Sequence, residues 1–191
     1  MERLKTLLNI PAILAKPDID GELKNLAEIL MNEYCVSNGN HQYCPIEIEF
    51  YIYDKYKHAD THVYKRDGKG AGCLFYHYSG IDICFASSFQ EGCFGGILIR
   101  ALEREDGKCF GGPLVCLIEV LNTASAKCKI EQAKELKEYS SLPGQLRVGI
   151  NDSDKKYRFI RSGVPETIEM SCSDYNFTTK KETIRKSKYK F

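Results

Sequence analysis

The sequence predicts an α+β fold: a single domain built on a mostly antiparallel β-sheet with helices beside it. Three observations carry this. Residues 20–34 place Leu23, Leu26, Ala27, Leu30 and Tyr34 at helical spacing, residues 46–53 alternate strictly between apolar and polar, and residues 73–87 read as two strands around a Ser79-Gly80 turn. Helices first, then strands, then a helix and more strands is the order of an α+β chain with antiparallel pairing.

Residues 1–15 predict a first helix or an arm. Pro17 precedes the helix of residues 20–34, which Asp18 or Asp20 can cap. Ser37-Asn38-Gly39-Asn40 is a turn. In the following strand Ile46, Ile48, Phe50 and Ile52 share one face, and Glu47, Glu49, Tyr51 and Tyr53 share the other. Residues 54–71 form a polar loop, residues 89–94 a glycine-containing turn, and residues 95–103 a strong strand. Gly111-Gly112-Pro113 opens an apolar segment, a helix started by Pro113 or else a buried strand. Residues 125–139 predict a charged helix, and residues 146–150 and 157–162 short strands about a turn at 151–154. The domain is expected over residues 1–178, with residues 179–191 a basic tail poor in core residues.

Composition removes several classes. A chain of 191 residues with 43% hydrophobic and 28% charged side chains can bury a core and is not a disordered chain. No apolar run approaches the roughly 20 residues of a membrane helix, and Pro11 interrupts the apolar N-terminal stretch, so neither a membrane span nor a signal peptide is expected. A net charge of +1 gives no global basic field. The nine cysteines form no C-x-x-C pair, which argues against a zinc ribbon and for free thiols in a reducing cytoplasm.

Four groups of residues bear on chemistry. Glu47 and Glu49 stand at i and i+2 on one strand face. The plain reading is a wet strand face; the sharper one makes Glu49, beside Tyr51, a general base in a cleft. His58, Asp60 and His62 fall within five positions, a polar loop or part of a metal site. Arg100 interrupts an apolar strand, and a buried arginine requires a carboxylate or an anionic ligand; Glu49 is a candidate partner. Tyr76, His77 and Tyr78 are ordinary sheet aromatics or stack on a base.

Several segments, in order, resemble the alkyladenine (3-methyladenine) DNA glycosylases. IEIEFY resembles that family's I-V-E-T-E-A-Y strand, and HADTH its A-A-H loop. LFYHYSGIDICFASS is similar to L-Y-V-Y-x-x-Y-G-M-x-x-C-x-N, and GGILIRALE to V-L-L-R-A-L-E-P. LRVGI followed by YRFIRSG is similar to R-V-G-V followed by L-R-F-Y-V-R-G-S. The resemblance covers residues 45–165 with gaps. It implies a curved antiparallel sheet flanked by helices and a monofunctional hydrolase of base-excision repair. In that role Glu49 activates water and Arg100 holds the carboxylate. Tyr51, His62 and Tyr76 wall the pocket for an alkylated purine flipped out of DNA, with Tyr78 near the position of the family's wedge. The implied chemistry needs no metal, cofactor or obligatory protein partner. The chain departs from the family at Ser79, where the wedge tyrosine stands, at Ala86, where an asparagine tests the purine edge, and in lacking the T-P-R-N segment. Two further expectations are a non-catalytic module binding a base or nucleic acid, and a metal-dependent hydrolase using His58, Asp60 and His62.

Overall fold

The computed structural model describes residues 1–65, 70–87, 92–150 and 155–163. The turn expected at 151–154, part of the turn at 89–94 and the tail of 179–191 lie outside the described residues. The architecture is α+β, an antiparallel curled sheet with helices against it.

The N-terminal residues form two short helices, α1 (Glu2–Leu7) and α2 (Ile10–Leu14); Leu4, Ile10 and Leu8, which caps α1, are wholly buried. The helix α3 (Ile19–Glu33) starts at Asp18, whose carboxylate accepts from the Gly21 N–H at 2.9 Å. Its buried side chains include the predicted stripe Leu23, Leu26, Ala27 and Leu30, seated against the sheet. The chain then passes directly into β1 (Tyr34–Ser37), a strand too short for its periodicity to show in sequence.

Two long strands form the spine. β2 (Gln42–Asp54) pairs along its length with β5 (Cys93–Arg104), with register shifts at Pro45, Glu47 and Ile48 that bend the sheet. Each spine strand carries two short strands on its outer side. β1 and β8 (Arg158–Ile160) flank β2; β4 (Gly80–Cys84) and β6 (Cys109–Gly111) flank β5. β3 (Leu74–His77) pairs with β4 at one edge, and β7 (Lys129–Gln132) with β1 at the other. α4 (Pro113–Asn122) begins at Pro113 and packs on β4, β5 and β6, which settles the helix-or-strand alternative.

Two expected elements are absent. Residues 125–139 are not a helix: Cys128 and Ile130 are buried and Lys129 exposed, a two-residue alternation that fills the free edge of β1. Residues 146–150 are not a strand, because their alternation runs inside out. Leu146 and Val148 are exposed while Arg147 is buried, so the segment lies across the sheet as a strap.

Ile48, Phe50 and Ile52 of β2, with Ile81, Ile83, Ile97 and Ile99, make one face of the sheet an apolar core. Gly95 is required where α2, β2 and β5 meet: a Cβ there would lie 2.5 Å from the Tyr51 carbonyl oxygen and 3.0 Å from Ile10 Cδ1. We expect Gly95→Ala to lower stability by about 1–3 kcal/mol, read as a reduced urea midpoint with an unchanged slope; an unchanged midpoint would contradict this packing.

Candidate active site

The opposite face of the sheet is polar yet largely covered. In antiparallel pairing, partnered residues project to the same face. Phe75, Asp82, Leu98, Glu49 and Arg158 are successive partners across β3, β4, β5, β2 and β8, so they form one transverse row. Two residues along each strand, His77, Arg100, Tyr51 and Glu47 join the same face.

Glu49 is fully buried, not on a wet face. Its Oε2 accepts from the Tyr51 hydroxyl at 2.9 Å and from Arg100 Nη1 at 3.3 Å, and its Oε1 from the Val148 N–H of the strap at 2.8 Å. Arg100 thus has the carboxylate partner its burial demands, and it has a second: its Nε donates to Glu47 Oε1 at 2.8 Å. Arg158 donates to the same Glu47 oxygen at 2.7 Å. Burial and the neighbouring Glu49 charge push the Tyr51 phenol well above its ordinary range, so its hydroxyl stays a donor.

The strap is held by Arg147. This guanidinium donates to Asp60 Oδ2 at 2.5 Å and to the Phe50 carbonyl at 3.2 Å, and lies 4.6 Å from the Tyr51 ring centre. Both side chains of the Arg147–Asp60 pair are fully buried. Burial pulls the Asp60 carboxyl up, but Arg147 and the His62 N–H together hold it below its ordinary value.

Between strap, sheet and the loop after β2 lies a cavity of about 310 Å³, with Tyr51, His62, Tyr64, His77, Asp82 and Leu98 among its walls. Tyr51 lines it and bonds Glu49, which is not among the described lining residues. His62 stands at a half-open side, its Nδ1 3.5 Å from Asp60. Tyr76, expected as a wall, belongs to the other face: it pairs with Ile81, packs on the core and meets Cys128. Its neighbour His77 takes the place at the cavity. Tyr78 is exposed at the hairpin turn, with its hydroxyl 2.6 Å from that of Tyr64.

His58, Asp60 and His62 do not converge. His58 lies over Tyr157, Asp60 holds Arg147 and His62 faces the cavity. Among the described residues no group of three His, Cys, Asp or Glu side chains is arranged to hold a metal ion.

Sequence reasoning passed over Asp82 and Arg147. Each interrupts an apolar run, GIDIC and LRVGI, the signal that singled out Arg100. No protein-family model matches the chain. No curated protein matches it at a significant level.

Arg147→Met strands the buried Asp60 and should cost about 3–5 kcal/mol. Adding Asp60→Leu should recover most of that loss in urea unfolding; a double variant no better than the single one would count against the pair. Burial lowers the His58 pKa, followed by the Lys155 charge. A histidine depressed on folding stabilises above its unfolded value of about 6.5 and loses that contribution as pH falls through the folded value. His58→Phe should therefore reduce the fall in urea midpoint as pH drops below about 6.5, whereas an undiminished fall would assign it to other groups.

Proposed function

We propose that this protein is a divergent alkyladenine-DNA-glycosylase-like hydrolase that accepts a damaged purine, flipped out of DNA, into the cavity and breaks its N-glycosidic bond. The observation that carries the proposal is the join between cavity and carboxylate: Tyr51 lines the cavity, and its hydroxyl donates to buried Glu49. Tyr51, His62, Tyr64 and His77 supply the π-bearing walls that a flipped base stacks on. At about 310 Å³ the space lies at the small end of ligand cavities, suited to a base rather than a nucleotide.

In the step, water oxygen bonds to the sugar C1′ as the C1′–N bond breaks, and the base leaves with the bonding electrons. The water proton passes through the Tyr51 hydroxyl to Glu49, whose position Arg100 and the Val148 N–H fix. An alkylated purine is cationic and leaves readily, so little activation of water is needed. The eight cysteines among the described residues are all free thiols, which supports action in a reducing compartment such as the cytoplasm.

A second reading is favoured by one feature: Glu49 already accepts three hydrogen bonds and has no exposed surface. A carboxylate so engaged also suits a non-catalytic module that holds a flipped base.

The test is single-turnover base release from duplexes bearing 3-methyladenine, 7-methylguanine or hypoxanthine. Release by the wild type, reduced roughly 10²–10⁴-fold in Glu49→Gln, supports the hydrolase. Thermal stabilisation by the duplex without release selects the binding module. Neither release nor stabilisation, from folded protein, rejects both.

A further inference from the structure

β1 and β2 form a hairpin whose register opposes Val36 to Tyr43 and Ser37 to Gln42. The next opposed residues in that register are Cys35 and Cys44. The Asn38 N–H donates to the His41 carbonyl at 3.2 Å, so the hydrogen-bonded pairs of this hairpin fall at 38 with 41 and at 36 with 43. Cys35 and Cys44 therefore hold a non-hydrogen-bonded position, whose outer hydrogen bond would need the N–H that Pro45 lacks. In such positions the Cα atoms stand roughly 4.5 Å apart and the side chains lie closest together. A disulfide spans Cα separations of about 4.4–6.8 Å.

The two thiols belong to a transverse row. Glu131, Cys35, Cys44, Glu103 and Cys109 follow one another across β7, β1, β2, β5 and β6. Glu103 separates Cys109 from Cys44, which puts their Cα atoms roughly 10 Å apart and out of bonding reach. Burial, and after it the neighbouring Cys44, pushes the Cys35 thiol up to about 12.

The pair divides the two roles that bridge formation requires. Cys44 is half-buried, and the Lys137 charge opposes the burial that raises its thiol pKa. Lys137 and Arg161 donate to the adjacent Glu103 at 2.6 and 2.8 Å, which fixes positive charge beside Cys44. Cys35 is fully buried, but it has only to reach the residue opposite.

We propose that Cys35 and Cys44 are a cross-strand dithiol that a small disulfide oxidises to a bridge, a modification site apart from the cavity and independent of the hydrolase reading. The Cys44 thiolate attacks one sulfur of the reagent, forming a mixed disulfide and releasing one thiolate. Cys35 then attacks the Cys44 sulfur and expels the second. The cysteines give up two electrons to the reagent, and the two protons they lose go to the released thiolates. A thiol of high pKa is a poor leaving group, so the bridge once made reopens slowly.

The test is incubation of the folded, reduced chain with oxidised glutathione, followed by peptide mapping and urea unfolding. We expect a Cys35–Cys44 linked peptide, while exposed Cys73 carries glutathione instead. The bridge closes a loop of the unfolded chain, so the urea midpoint should rise by roughly 0.5–1 M. Cys35→Ala should stop at a glutathione adduct on Cys44, and Cys44→Ala should leave Cys35 unmodified. No link between the two in the wild type overturns the inference, as does a link that fails to raise the midpoint. A folded variant with the opposite labelling pattern overturns it as well. If a variant does not fold, the wild-type map and midpoint decide alone.

Discussion

Glu49 is a carboxylate with no exposed surface, placed on the sheet face that strand alternation would leave to water. Removing such a charge from water costs several kcal/mol unless its oxygens are met by donors. Much of the structure on this face can be understood as meeting that demand. β5 brings Arg100 alongside, Tyr51 reaches back two residues, and the strap supplies the Val148 N–H. The strap is not held by apolar burial, since Leu146 and Val148 project outward. It is held by Arg147, bonded to Asp60 and to the Phe50 carbonyl. One buried charge thereby links the spine of the sheet, the loop after β2 and the segment before β8.

The sheet therefore has two interiors of different kinds. The first is apolar, with Ile48, Phe50, Ile83, Ile97 and Ile99 under α3 and α4. The second is a lattice of charge-assisted hydrogen bonds in which Arg100 and Arg158 share Glu47 and Arg147 takes Asp60. Apolar packing tolerates small rearrangements, whereas such a lattice loses a great deal when one member shifts. It fixes side chains at defined positions, which is what a binding or reacting group requires. The cavity opens within this second interior, with Leu98 lying between the rows' two carboxylates.

Local periodicity made much of this legible. The alternation of residues 48–53 identified both faces of β2, although the register shifts before Ile48 leave buried Ile46 outside the core cluster, and the leucine stripe identified α3. The cost of burying a charge pointed from Arg100 to a carboxylate, and Glu49 stands there. Parity in β3 was the harder matter. Tyr76 and His77 point to opposite faces, and a hairpin moved by one residue would exchange them. Only the pairing of Asp82 with both Phe75 and Leu98 puts His77 at the cavity and Tyr76 in the core. The strap was illegible for a different reason: Leu146, Arg147 and Val148 alternate like a strand, but the buried member is the arginine, and its partner Asp60 is 87 residues away. β7 was obscured because Lys, Glu and Gln favour helix locally, while the open edge of β1 recruited them as a strand.

The distribution of charge bears on what the cavity can do even apart from Glu49 as a base. The arginines of this face lie behind the walls, bound to Glu47, Glu49 and Asp60, while the cavity itself meets Asp82 and no lysine or arginine among the described residues. A base carrying positive charge from alkylation would be drawn in and would meet the faces of Tyr51 and Tyr64. Positive charge also develops on the sugar as a glycosidic bond breaks. A fixed carboxylate near that sugar lowers the barrier without reorganising, and the three donors on Glu49 keep it in one place. In the hydrolase proposed above, the immobility that constrains Glu49 as a proton acceptor is the same property that would make it an effective electrostatic partner for that charge.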